Sequence, residues 1–199
     1  MSTFSPQKAT QAAAYLVERA KGEIKYLKLI KLLYLAERTN LLRFHASITG
    51  DQFYSLKFGP VLSETLNLIK GQSKNQYWSR YFTALPRHVI KLVKSPGFGE
   101  LSPAELGVLE ETWRQYCNFK EFELVDVTHK MCAEWKNPSG SRLPITHDDI
   151  LRAGGHSDQQ IKNLKRDQEA YSRVMDLLKY LPSWPCRVSR VPKIHTRSW

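Results

Sequence analysis

The sequence predicts a mainly α-helical, compact domain built around one central buried helix, with a small antiparallel β-ribbon. Three observations predict it. The stretch from Ile24 to Phe44 has no Gly or Pro, and at about 100° per residue its apolar side chains point in nearly every direction, as in a helix enclosed by others. Helix-start signals recur through the second half, at Ser102-Pro103, Asn118-Phe119, Thr146-His147 and Ser157-Asp158. Two short runs, 52–57 and 88–94, are rich in aromatic or β-branched residues and are bounded by turn formers.

The totals narrow the class. A chain of 199 residues with 42% hydrophobic side chains can bury one sizeable core. Its first residues are polar and amphipathic, unlike a secretory signal. Cys117, Cys132 and Cys186 show no CxxC spacing and leave one thiol over from any pairing, so free thiols and a cytoplasmic location are expected. The net charge of +11 is polarised: +5 in residues 1–50, +4 in 51–100, −4 in 101–150 and +6 in 151–199. Such faces suit an acidic partner or nucleic acid.

Taken in order, residues 6–21 have apolar positions at three- and four-residue spacing, with a small-residue patch at Ala12 to Ala14 and Gly22 as a stop. The central helix follows at once. Lys25, Lys28 and Lys31 break its apolar run, so it cannot span a bilayer; the three either snorkel from a buried helix to the surface or mark where the helix emerges to meet an acidic partner. After the turn Thr49-Gly50-Asp51 a strand is predicted at 52–57, and Gly59-Pro60 is predicted to open a helix that Gly71 closes. The run at 88–94 is expected to pair with 52–57 as the ribbon, and the aromatics of NQYWSRYFTAL to wedge a short helix onto the core. The last helix runs from Ser157 to about Leu181, where Pro182 stops it. The organisation expected is a helical domain at 1–155, a long amphipathic helix at 156–182 docked on it or on a partner, and a basic tail at 183–199.

Nothing in the chain nominates an enzyme. His129, Glu134 and His147 are metal-ligand types without a metal spacing, and Asp148 and Asp149 are explained by the macrodipole of a helix start. There is no P-loop, GxGxxG or GxSxG. No catalytic residue, cofactor or metal is expected.

Two blocks carry more information. LKLIKLLYLAERTNLLRFHASITGDQFYSLKFGPV and LSPAELGVLEETWRQYCNFKEFELVDVTHKMCAEW resemble, in order and spacing, the Panacea (SocA-like) antitoxin domain, also found in phage-associated proteins. The resemblance implies a mainly helical antitoxin of a bacterial or phage toxin–antitoxin system. Such a protein neutralises its cognate toxin, encoded by an adjacent gene, by direct binding. The alternatives are a nucleic-acid-binding regulator and an adaptor that delivers a bound protein to a protease. The partner surface is expected at Lys28, Lys31, Tyr54, Lys57 and Trp135, with Phe53 and Phe58 in the core. Arg187, Arg190, Lys193 and Arg197 of the tail are the expected contacts to an acidic partner or nucleic acid.

Overall fold

A computed structural model describes residues 3–73 and 75–178. Helix α1 (Pro6–Arg19) starts where Ser5 Oγ accepts the Lys8 N–H at 3.2 Å, with Pro6 in the first turn where its missing donor costs nothing. Ala9, Ala12, Ala13 and Ala14 are fully buried, and these short side chains let α1 lie close against its neighbours. Residues 23–25 form a strand, β1 (Glu23–Lys25), instead of the first turn of the next helix. That helix, α2 (Tyr26–Phe44), is buried at every residue from Leu29 to Glu37 and packs against α1 and, further along the chain, against the helices at 103–116, 121–131 and 147–153.

Two carboxylates then fix the turn. Glu37 accepts the Ile48 and Thr49 N–H groups at 2.8 and 2.7 Å and the Ser47 hydroxyl at 3.0 Å. Asp51 accepts the N–H groups of Glu64 and Thr65 at 2.8 and 2.7 Å, which caps a helix that has no cap of its own. Burial pushes both acids above the usual carboxylate range, against these hydrogen bonds.

Between them lies the first correction. Strand β2 (Phe53–Leu56) turns back through Lys57 and Phe58 into a second strand, β3 (Gly59–Leu62), so Gly59-Pro60 opens no helix. Pro60 is tolerated because β3 is an outer strand. Helix α3 (Ser63–Ile69) follows. A 3₁₀ turn (Trp78–Arg80) comes next, where Trp78 is buried and stacks on Phe82 at 4.1 Å. Strands β4 (Phe82–Leu85) and β5 (Val89–Leu92) form a hairpin that β1 joins, in the order β1-β5-β4.

The expected ribbon between 52–57 and 88–94 is therefore wrong. Each run finds a partner a few residues away, and the shorter loop costs less entropy to close. The result is two three-stranded antiparallel sheets. The other one has the order β3-β2-β6.

Helix α4 (Pro103–Tyr116) has the expected capping box between Ser102 and Glu105. Helix α5 (Glu121–Met131) starts at Lys120, whose N–H is taken by Glu123 at 2.6 Å, so Asn118 is not its cap. Strand β6 (Leu143–Ile145) was not foreseen. It leads to the Thr146–Asp149 capping box of α6 (His147–Ala153). A Cβ on Gly154 would lie 2.2 Å from Leu42 Cδ2, so a larger residue where α6 ends against α2 requires the Leu42 side chain to move.

The chain divides into two units, Met1–Ile161 and Lys162–Trp199. Helix α7 (Asp158–Leu178) begins in the first. In the second its described residues expose Tyr171, Val174, Met175 and Leu177. Among the described residues the fold is mainly α with two small sheets, no helix is long and apolar enough to cross a membrane, and Cys117 and Cys132 are free thiols.

Candidate functional site

The lysines of α2 part company. Lys25 Nζ donates to the Arg87 carbonyl at 2.5 Å. Lys28 Nζ donates to the Cys117 carbonyl at 2.6 Å beside the Trp113 ring, and burial lowers its pKa. Lys31 is fully buried, donates to the Pro60 carbonyl at 2.7 Å, and is pushed down to about 7 by desolvation. An ammonium enclosed in this way meets no partner at the surface. The expectation for Lys31 is overturned, and Lys28 is turned inward.

What Lys31 does is anchor the β2–β3 hairpin. Gly59 sits at φ +90°, and a Cβ there would lie 2.8 Å from Thr128 Oγ1 and 2.9 Å from Lys31 Nζ. Position 59 thus needs glycine twice over, for its backbone angle and for the space. Beside it the His129 ring stacks on Trp135 at 3.9 Å, and Trp135 Nε1 donates to the Leu56 carbonyl at 3.0 Å. His129 Nε2 is buried without a hydrogen-bond partner, and desolvation, with the Lys31 charge, holds the ring's pKa below its usual value. Glu134 is engaged elsewhere, accepting the Tyr34 hydroxyl at 2.6 Å and Arg38 Nε at 2.8 Å. His147 packs edge-on to Phe53. His129, Glu134 and His147 therefore do not converge, and no group of metal-ligand residues occurs among the described residues.

The outer side of this hairpin is apolar and open. Phe58 is 49% exposed at the turn and Phe122, at the start of α5, is 60% exposed; their rings meet edge-on at 6.2 Å. The Lys57 ammonium lies over Phe58 at 5.8 Å. Tyr54 is half-buried under the Arg142 guanidinium at 4.8 Å, and Trp135 is half-buried on His129. Tyr54 and Lys57 lie on the β2–β3 hairpin and Trp135 packs against it, whereas the Lys28 ammonium is turned to the Cys117 carbonyl. Phe53 is buried as expected; Phe58 is not. Sequence reasoning placed Phe58 in the core and passed over Phe122. The signal for Phe58 was available, because a Lys-Phe pair before a glycine between two apolar runs marks a hairpin tip. Arg187, Arg190, Lys193 and Arg197 lie outside the described residues.

The family described as antitoxin SocA-like, Panacea domain, matches residues 29–136, more than half of the chain. The chain belongs to this family. The match begins inside α2, takes in both hairpins, α4 and α5, and ends just after Trp135. The Panacea segment thus holds Lys31, Gly59, the Phe58–Phe122 pair and the His129–Trp135 stack. Helices α1, α6 and α7 fall outside it. No curated protein and no solved structure matches the chain.

Proposed function

We propose that this chain is the antitoxin of a bacterial or phage toxin–antitoxin pair, and that it neutralises its toxin in the cytoplasm by direct protein–protein binding, with no chemistry of its own. Its membership of the Panacea antitoxin family carries this reading. The exposed Phe58–Phe122 pair flanked by Lys57 supports a contact surface on the β2–β3 hairpin, since aromatic anchors within a polar rim dominate interface energies.

The test is expression of the adjacent gene with and without this chain. Growth arrest relieved by co-expression, with a stoichiometric complex on purification, is expected. A harmless neighbour, or a toxic one that is not relieved, overturns the reading. Replacing both Phe58 and Phe122 with Ala should weaken the complex by about tenfold or more while leaving the melting temperature unchanged.

The +11 charge favours a second reading, a nucleic-acid-binding regulator. That reading requires affinity for DNA or RNA that falls steeply as salt rises. A chain that binds neither at low salt rules it out.

A further inference from the structure

The β1-β5-β4 sheet borders a groove that the Phe58–Phe122 surface does not use. It lies between the end of α3 and the β4–β5 hairpin, encloses about 470 Å³, and is walled by Ile69, Leu85, Val89 and Ile90. Lys70, Arg87 and His88 also line it, and Lys25 adds its ammonium at the Arg87 carbonyl. No carboxylate lines the groove. Glu23, the one acid in these three strands, is taken by Lys91 at 3.0 Å. Lys25, Lys70 and Arg87 make no ion pair among the described residues.

The backbone of the loop is itself unusual. Arg87 and His88 stand in succession at φ +59° and +63°, a region that residues with side chains enter at a cost. The Tyr26 N–H, donating to the His88 carbonyl at 2.9 Å, and the edge-on contact of the two rings hold them there. Glycine or asparagine would suit such a loop better. An arginine and a histidine stand there instead, both on the groove.

Charge and lining together select the occupant. The chain's own segment from residue 183 onward carries four basic residues and no acid, so the rim repels it. A nucleic-acid strand would match the charge, but the walls are mainly aliphatic, and the two rings that line the groove, Tyr26 and His88, pack edge-on against each other and do not form a platform for successive bases. What fits is an apolar anchor with carboxylates beside it. We propose that this groove seats an acidic peptide segment of the bound toxin, its aliphatic or aromatic anchor between Ile69, Leu85 and Val89 and its carboxylates on Lys70 and Arg87. The assignment of the segment to a toxin rests on the antitoxin reading; the chemistry of the groove does not.

The test uses the full chain with labelled Ile, Leu and Val methyl groups, titrated with a capped peptide of alternating Glu and Leu. A Lys–Leu peptide and a single-stranded DNA oligonucleotide serve as counterparts. The acidic peptide is expected to shift the Ile69, Leu85 and Val89 methyls, and its affinity to fall about tenfold in Lys70→Glu/Arg87→Glu. The proposal is overturned if those methyls stay still, if the double variant binds the peptide equally well, or if only the oligonucleotide moves them. A second copy seated in the groove would appear as self-association that the double variant abolishes, and would overturn it too. With the toxin in hand, the charge reversal should weaken the complex by about tenfold. Full neutralisation by the variant sinks the groove's role and leaves the antitoxin reading intact. Failure of the unaltered chain to neutralise any neighbour sinks the antitoxin reading, while the peptide titration still decides the groove.

Discussion

The two sheets are alike in size and opposite in how they are fastened. The β3-β2-β6 sheet is tied down by buried and half-buried side chains: Lys31 on the Pro60 carbonyl, Trp135 on the Leu56 carbonyl, and Ser55 accepting the Lys136 N–H. The β1-β5-β4 sheet is held by backbone pairing and by the apolar packing of Ile24, Phe82 and Ile90 into the core, with strand β1 running straight into α2 and its outer loop at positive φ. Substitutions near the first should therefore break the fold, and substitutions on the rim of the second should alter what the protein meets. Sequence position says nothing of this difference; the burial of a few polar atoms does.

The sharpest way to break that contrast is Gly59→Ala. The new methyl would press on Thr128 and Lys31 at an angle alanine rarely adopts, so a loss of about 3 kcal/mol or more is expected in urea denaturation. An ordinary stability would show that the hairpin can lift away from α2. Next comes Glu134→Ala, which leaves Arg38 and the Tyr34 hydroxyl without their buried partner. About 3 kcal/mol should be lost, read as a lower denaturation midpoint at unchanged slope.

A smaller effect depends on pH. Lys31 is held at about 7 when folded, against an ordinary value near 10.5, so between those limits the unfolded chain binds more protons. Stability should rise with pH from about 7 towards 9. Above that, the Cys132 thiol, pushed up to about 12 by burial, opposes the gain because the unfolded chain loses that proton first. In Lys31→Met the rise above pH 7 should vanish, as followed by midpoints at several pH values. A rise that persists assigns it to another group.

The mildest expectation belongs to the second sheet. Arg87→Gly removes the strain at φ +59° and should leave stability unchanged or raise it by up to about 1 kcal/mol. A clear loss would mean that Arg87 holds its loop together.

Much of the architecture was legible. The buried run in α2, the caps at Ser102 and Thr146, and the strands at 53–56 and 89–92 follow from spacing and capping chemistry that act within a few residues. The strand partners were not legible, because Phe53 to Leu56 is as compatible in pattern with Val89 to Leu92 as with Gly59 to Leu62, and loop length decided between them. Gly59-Pro60 misled for a related reason: the same dipeptide suits a helix start and an outer strand. Lys31 misled most. A lysine in the middle of a helix is expected to reach water, and only the carbonyl of Pro60, 29 positions away, shows why it does not.

The prolines of the first sheet have one more consequence. In an antiparallel ladder the residues between hydrogen-bonded pairs point their N–H and C=O outward, and in β3 and β6 those mid-strand places, opposite Ser55 and Tyr54, belong to Pro60 and Pro144. Neither has an N–H to offer, and the outward carbonyl of Pro60 is already taken by Lys31. Neighbouring chains in a crowded cell find no free ladder on which to polymerise, so an exposed aromatic tip can sit on this sheet without seeding a fibre.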